Sequence, residues 1–140
     1  MKRLEEFVLE KLKVSKIETK YHPTSKDELV DLIIKEIETN GPECSLNHID
    51  VSDITDMCDL FKGGKHWLIG DHPVLSKFNG DISKWNVSNV ENMFWMFNGS
   101  VFNGNISKWK INPIIKGHMI DMFKNSPLEN NPPKWYYKYR

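Results

Sequence analysis

The sequence has only two cysteines, no long apolar run and no net charge. Cys44 and Cys58 have no CxxC spacing and are too few for a disulfide framework, which indicates a reducing compartment. No apolar stretch approaches the roughly 20 residues of a membrane-spanning helix, and residues 1–14 mix acidic with apolar residues, unlike a signal peptide. We therefore expect a cytoplasmic protein without membrane association, and 140 residues suffice for one domain.

Catalytic and cofactor-binding motifs are also missing. The chain contains no GxxxxGK[ST], GxGxxG, GxSxG or HExxH, the motifs that bind phosphates, dinucleotides or zinc, or that present a nucleophilic serine. The remaining candidates for metal ligands do not have the spacing of a zinc site. They are Cys44, His48, His66 and His72. We therefore expect no enzyme activity, no catalytic residue, no cofactor and no metal site.

Charge is unevenly distributed, although acidic and basic residues are equal in number. Residues 1–80 contain eleven Lys or Arg and fifteen Asp or Glu, whereas residues 81–140 contain eight and four. The C-terminal part is therefore basic, which favours a partner with an acidic surface there.

One phrase occurs twice, as FNGDISKW at residues 78–85 and as FNGNISKW at residues 102–109. From Ile82 onward the apolar residues are spaced by three, two, three, three, three and one residues, and the segment 46–61 repeats this spacing without a gap. These positions are Ile82, Trp85, Val87, Val90, Met93, Met96 and Phe97, and Leu46, Ile49, Val51, Ile54, Met57, Leu60 and Phe61. Such a period is typical of stacked repeats.

A third copy begins at Ile106, Trp109, Ile111 and Ile114 and needs two extra residues before Met119 returns to register. A truncated fourth copy runs to the C-terminus with Trp135 in the tryptophan position. The two-residue alternation predicts a short strand in each copy. The three-residue steps that follow predict a tightly wound or helical segment that leads back to the next strand.

The predicted fold is an α/β solenoid of the leucine-rich-repeat type, with a parallel sheet of three to four rungs. Residues 1–40 are predicted to form a helical N-terminal cap, and residues 41–140 the solenoid, with an insertion at 62–77 and a degenerate last rung. The Asn-Gly pairs at 79–80 and 103–104 are expected at corners with positive φ angles.

Two helices are predicted in the cap. Apolar residues repeat at helical spacing over 3–14. A second helix follows Ser25, which forms a predicted capping box with Glu28, and it ends at Asn40-Gly41.

The repeated phrases resemble the repeats of BspA-like leucine-rich repeat proteins, the group also known as the DUF285 family. The resemblance covers about residues 40–135, and it rests on aromatic, Ser-Asn and Met-Phe positions that agree together. It implies a solenoid fold and a binding role, and it transfers no catalytic residue. Because such repeats are found in low-GC bacteria and their mobile elements, one narrower hypothesis is an intracellular inhibitor of a bacterial or phage-defence protein. Another is a relative of surface or adhesion proteins.

Basic residues recur at equivalent outward positions of the predicted strands. In each copy a basic residue stands directly before the repeated Ile or Trp, and in the last two copies further basic residues follow that Ile or Trp. Adjacent like charges do not help folding, so we predict that this column binds a protein with an acidic surface. The column is His48, Lys84, Lys108 and Lys134, and the neighbouring outward positions add Lys110, Tyr136 and Lys138 to the predicted surface. The alternative is nucleic acid, with the lysines along phosphates and the C-terminal aromatic rings on bases.

Phe94 and Trp95 form a second candidate surface, because the first copy has Cys58 and Asp59 at these positions and therefore does not require aromatic residues there. Exposed aromatic residues are favoured anchors at interfaces. The alternative is that both rings pack beneath the insertion at 62–77, which has its own apolar residues at 67–69.

Overall fold

A computed structural model describes residues 19–63 and 73–140. The helices are α1 (Lys26–Asn40), α2 (Pro73–Ser76) and α3 (Lys134–Tyr139), with 3-10 turns at Pro113–Ile115 and Pro127–Glu129. Across these two ranges the chain has no β-strand and no sheet, only isolated parallel bridges that join Tyr21 to Ile49 and Asp56 to Asn92. The predicted parallel-sheet solenoid is therefore wrong.

Some predictions fall elsewhere in the chain. The helix predicted over 3–14, and the histidines and apolar residues of the insertion between 64 and 72, lie outside the described residues. Among the helices that are described, none is long and apolar enough to cross a membrane.

Helix α1 confirms the second predicted helix. The Ser25 hydroxyl accepts a hydrogen bond from the Glu28 amide at 3.2 Å, while the Glu28 carboxylate accepts from the Thr24 amide at 3.1 Å and not from Ser25. At the other end, Gly41 has a φ of 90°, which favours glycine, and its amide donates to the Ile37 carbonyl, where the helix ends. One apolar face of α1 is buried in the same core as the repeats, through Leu29, Ile33 and Ile37.

Asx turns occur where alternation predicted strands and also elsewhere in each copy. The Asn86 side-chain oxygen accepts from the Ser88 amide at 3.1 Å, and Asp81 accepts from the Ser83 amide at 2.9 Å. The same bond forms at Asp50–Ser52, Asp56–Cys58, Asn92–Phe94, Asn105–Ser107 and Asn112–Ile114. Because these side chains occupy backbone amides and bend the chain locally, the repeated Asp and Asn residues specify turns in place of strands.

The copies nevertheless stack through backbone hydrogen bonds between three segments, here called row 1 (56–63), row 2 (92–99) and row 3 (118–125). Alternate amides of each row donate to alternate carbonyls of the next, at 2.7–3.1 Å. The donors are Met57, Asp59, Phe61 and Gly63 in row 1 and Met93, Trp95, Phe97 and Gly99 in row 2. The intervening amides bond within their own row and form turns; the Leu60 amide, for example, donates to the Met57 carbonyl. This pattern distinguishes the ladder from a β-sheet, in which such amides would bond to a strand on the other side.

Aromatic columns fill the space between the copies. The rings of Phe61, Phe97 and Phe123 stack with centroids 5.5 and 5.7 Å apart. The indoles of Trp85, Trp109 and Trp135 stack at 6.5 and 6.2 Å. Each indole N–H also donates to a carbonyl of the preceding copy, Leu46, Ile82 and Ile106, at 2.9, 3.0 and 2.8 Å.

The predicted core positions of the first two copies are all buried. The third copy differs, because Ile114 is 61% exposed and Ile115 takes the buried place. The 3-10 turn at Pro113–Ile115 accounts for this shift, since Asn112 caps it through the Ile114 amide.

The Asn-Gly corners also differ from the expectation. Among described residues, the glycines with positive φ are Gly41, Gly99 and Gly117, and neither Gly80 nor Gly104 is one of them. A Cβ on Gly80 would overlap the carbonyl of Cys44. Gly80 therefore serves close backbone packing between copies, which only glycine allows.

Candidate functional site

The predicted basic column is not on a sheet surface. Lys84 and Lys108 are exposed and lie in turns, each directly before a buried tryptophan, and Lys134 is exposed at the first residue of α3. His48 is different, because it is half-buried, lies 3.3 Å from the Glu36 carboxylate and packs edge-on against Tyr21. His48 is therefore tied to α1 and does not extend a row of free cations.

Three of the predicted lysines line one groove of about 620 Å³, here called the lysine groove. Its lining residues are Ser83, Lys84, Trp85, Asn86, Ser88, Asn105, Lys108 and Lys110. An adjoining groove of about 600 Å³ shares Asn105 and includes Lys134. Neither lining contains an aspartate or glutamate.

The backbone at the groove is positioned by the neighbouring copy. The Lys84 amide donates to the side-chain oxygen of Asn47, a buried residue of the first copy, at 3.0 Å. On the other side, the Trp109 indole is bonded to the Ile82 carbonyl. Hydrogen bonds between copies therefore fix the backbone at or beside Lys84 and Lys108.

The electrostatics of the groove are positive. Ion pairs in the described part of the chain involve His22 and His48 and none of the groove lysines. Asp81 is a carboxylate near Lys84, and its pKa is lowered mainly by the hydrogen bond from the Ser83 side chain, with a smaller contribution from the charge of Lys84. Asp81 is thus engaged in its own turn, and it is not among the residues that line the lysine groove.

Tyr136 and Lys138 do not line the lysine groove. The Tyr136 ring packs edge-on against Phe123 at 5.0 Å, and burial raises the pKa of its hydroxyl. The Lys138 ammonium lies 5.2 Å from the centre of the neighbouring Tyr139 ring. The structure therefore gives Tyr136 a packing role at the end of the core.

Phe94 and Trp95 lie on row 2. Phe94 is half-buried beside His118, with ring centroids 5.6 Å apart. Trp95 is 38% exposed, and the ammonium of Lys62 is 4.9 Å from the centre of its ring. Any packing of these rings against residues 67–69 lies outside the described residues.

Trp95 has an unfavourable backbone conformation, with a φ of 55°. The equivalent residues of rows 1 and 3 are Asp59 and Asp121, with φ values of 61° and 52°. Aspartate and asparagine tolerate the left-handed region, whereas a bulky residue there is strained. The aromatic ring at Trp95 is therefore kept at a cost in stability.

We expect Trp95→Asn to be more stable than Trp95→Ala by about 0.5–1 kcal/mol. Both changes remove the ring and its contact with Lys62, so their difference isolates the backbone conformation. Urea unfolding of the two variants measures it, and equal free energies of unfolding would show that φ at this position is not strained.

Sequence reasoning missed an ion-pair cluster at His22. Its ring nitrogens lie 2.8 Å from Asp50 and 2.6 Å from Asp53, and the pKa of His22 is raised, first by Asp53 and then by Asp50. Desolvation opposes ionisation of Asp50, but hydrogen bonds from Ser52 and His22 outweigh it and lower its pKa. The His22 contribution to folding is complete below the ordinary histidine pKa and is lost as the pH rises through the raised value.

Both cysteines are half-buried free thiols. Burial raises the pKa of Cys58 to about 11 and also raises that of Cys44, so neither is a reactive thiolate at neutral pH. Within residues 19–63 and 73–140, no three His, Cys, Asp or Glu side chains are placed to hold a metal ion.

Comparison with protein families identifies a match over most of the chain. The family described as "Mycoplasma protein of unknown function, DUF285" matches residues 43–136. Neither the curated proteins nor the solved structures include a match to this chain. Because the family match covers well over half of the sequence, the chain belongs to the DUF285 family.

Proposed function

We propose that the protein is a non-enzymatic binding module that takes an acidic segment of a partner protein in the lysine groove. The observation that supports this most is the convergence of Lys84, Lys108 and Lys110 on one groove whose lining has no carboxylate. Like charges brought together in this way repel one another. Carboxylates of a partner would offset that repulsion and speed association.

The remaining lining suits the same ligand. Ser83, Ser88 and Asn105 add polar groups between the lysines. Part of that polar capacity is used internally, because the Ser88 hydroxyl donates to Asn86 at 2.6 Å. The turns are therefore preorganised, and a partner meets lysines on a backbone that need not rearrange.

Nucleic acid is the alternative ligand, and one contact pattern disfavours it. Of the rings that would stack on bases, Trp135 and Tyr136 are packed against Trp109 and Phe123, and Tyr139 is half-buried against the core. Tyr137 is 58% exposed, but the Arg140 guanidinium lies 5.1 Å from the centre of its ring. None of these C-terminal rings is among the residues that line the lysine groove, which disfavours stacking of bases beside its lysines.

Two narrower hypotheses depend on the resemblance to BspA-like repeats. One is an intracellular inhibitor of a bacterial or phage-defence protein, and the other is a relative of surface or adhesion proteins. Both stay predictions, because the lysine groove would serve either role.

The test is charge reversal in the groove, with Lys84→Glu, Lys108→Glu and Lys110→Glu combined. We expect affinity for a labelled octaglutamate peptide to fall about 100-fold or more, with the melting temperature unchanged because all three side chains are exposed. Fluorescence anisotropy at a fixed salt concentration measures the affinity.

The matched control changes the net charge equally at exposed lysines outside both grooves, Lys35→Glu, Lys77→Glu and Lys116→Glu. Equal losses in the two triple variants would mean a response to net charge alone and would refute the groove. Tighter binding of a single-stranded oligonucleotide than of the peptide, lost steeply with salt, would assign the groove to nucleic acid instead.

A further inference from the structure

The ladder of backbone bonds between rows stops at row 3, where three of the four donor positions have no acceptor in the described part of the chain. Met119, Asp121 and Phe123 occupy the positions whose amides, in rows 1 and 2, donate to the next row. Within residues 19–63 and 73–140, none of these three amides has an acceptor. The last row thus presents alternate N–H groups without the carbonyls that every earlier row receives.

The fourth donor of row 3 shows what such an amide binds. The Asn125 amide donates to the Glu129 carboxylate at 2.9 Å, whereas its equivalents Gly63 and Gly99 donate to backbone carbonyls of the following row. A side-chain oxygen therefore replaces the missing row at one position. The other three positions have no such substitute within the described residues.

Side chains beside these donors leave part of row 3 open. Ile120 is 57% exposed, and Asp121 is exposed as well. Ile120 continues an outward column that includes Cys58 and Phe94, because the amides of rows 1 and 2 donate to the carbonyls of Phe94 and Ile120 at this position. An apolar residue of a further row would extend this column.

A second copy of the chain is not the expected occupant. Its row 1 carries the carbonyls that would match row 3, but α1 lies along that first copy. Glu36 pairs with His48, the Cys44 thiol donates to the Glu36 carbonyl, and Lys26 is close enough to Cys58 to affect its pKa. Stacking of two molecules would require α1 to move.

We propose that row 3 binds an extended segment of a partner protein through backbone hydrogen bonds. Carbonyls of alternate residues in that segment accept from Met119, Asp121 and Phe123, and an apolar side chain at the middle residue packs on Ile120. Addition of an extended segment to open backbone donors is a recurring mode of peptide recognition, in which main-chain bonds provide affinity and side chains provide selectivity. This surface is separate from the lysine groove, so it goes beyond the proposed function.

The probe is a synthetic peptide with the sequence of residues 116–125, KGHMIDMFKN, because its alternate carbonyls already accept from row 2. In the ¹⁵N-labelled protein, we expect the peptide to shift the amide resonances of Met119, Asp121 and Phe123 and to slow their hydrogen exchange. Without peptide these amides exchange faster than Met93, Trp95 and Phe97, which are bonded.

Ile120→Lys should weaken binding of the peptide at least about tenfold. Ile114→Lys is the matched control, since Ile114 is 61% exposed and outside row 3, and it should bind as the wild type does. The groove variant with three glutamates should also bind normally, which separates this proposal from the lysine groove.

Several results would overturn the inference. One is the absence of resonance shifts at about 1 mM peptide, and another is equal affinity of the Ile120→Lys and Ile114→Lys variants. Self-association in sedimentation experiments that Ile120→Lys abolishes would make a second copy the occupant. Slow exchange of the three amides in the free protein would show that they are already bonded.

Discussion

Replacing Trp109 by alanine is expected to lower the free energy of unfolding by about 3–5 kcal/mol. Trp109 is 5% exposed and stacks between Trp85 and Trp135. Its indole also donates to the Ile82 carbonyl at 3.0 Å. The substitution therefore opens a cavity and interrupts the contact between three copies, and the loss approaches the whole stability of a small domain, about 5–15 kcal/mol.

Two further variants separate the contributions of ring and hydrogen bond. Trp109→Phe keeps an aromatic ring but leaves the Ile82 carbonyl without its donor, and we expect a loss of about 1–3 kcal/mol. Trp135→Ala should cost less than Trp109→Ala, because Trp135 is half-buried at the end of the column. Urea denaturation provides these values, and an equal cost for Trp109 and Trp135 would contradict the central role of stacking.

The second large effect is expected for Gly80→Ala, which should destabilise the protein by about 3 kcal/mol or more. The added methyl group would overlap the Cys44 carbonyl, a backbone atom that cannot move aside as a flexible side chain can. The backbones of the first two copies would have to separate near the Leu46–Asp81 hydrogen bond.

Gly117→Ala is the matched control for this prediction. Gly117 has a φ of 87°, and no atom lies within 4 Å of the place that an added methyl group would occupy. Alanine there costs only the backbone conformation, about 1–2 kcal/mol. Thermal unfolding should rank Gly80→Ala below Gly117→Ala, and the reverse order would argue against close packing at Gly80.

Repeated spacing identified the core, because it reflects a burial pattern that needs no knowledge of partners far away in sequence. Ile82, Trp85 and Phe97 are buried as predicted, together with their equivalents in the first copy. The same spacing was misleading about conformation. A two-residue alternation is shared by a strand and by consecutive Asx turns, and the hydrogen bonds of Asn86 and Asp81 decide between them.

Only some of the predicted binding residues line the lysine groove, because their tertiary surroundings differ. Lys84 and Lys108 occupy equivalent repeat positions, and both line the lysine groove. His48 occupies such a position too, but α1 brings Glu36 to it. Tyr136 follows the last tryptophan, yet the chain has become helical there and the ring turns onto Phe123. Residues at equivalent repeat positions have equivalent surroundings in the inner copies, which have a copy on both sides. In the first and last copies, other parts of the chain replace the missing neighbour.

By itself, the sequence determined the repeat register, the buried aromatic positions, the boundaries of α1 and membership of the DUF285 family. These depend on residue type and spacing, which act locally or between identical neighbours. The tertiary structure alone decided that the copies are joined by one-way amide ladders and indole bonds, that Gly80 serves close packing, and that three row 3 amides have no acceptor among the described residues. Such features depend on which backbone atoms meet between distant parts of the chain, 27 to 39 residues apart for the indole bonds. The spacing of side chains does not encode the direction of a hydrogen bond.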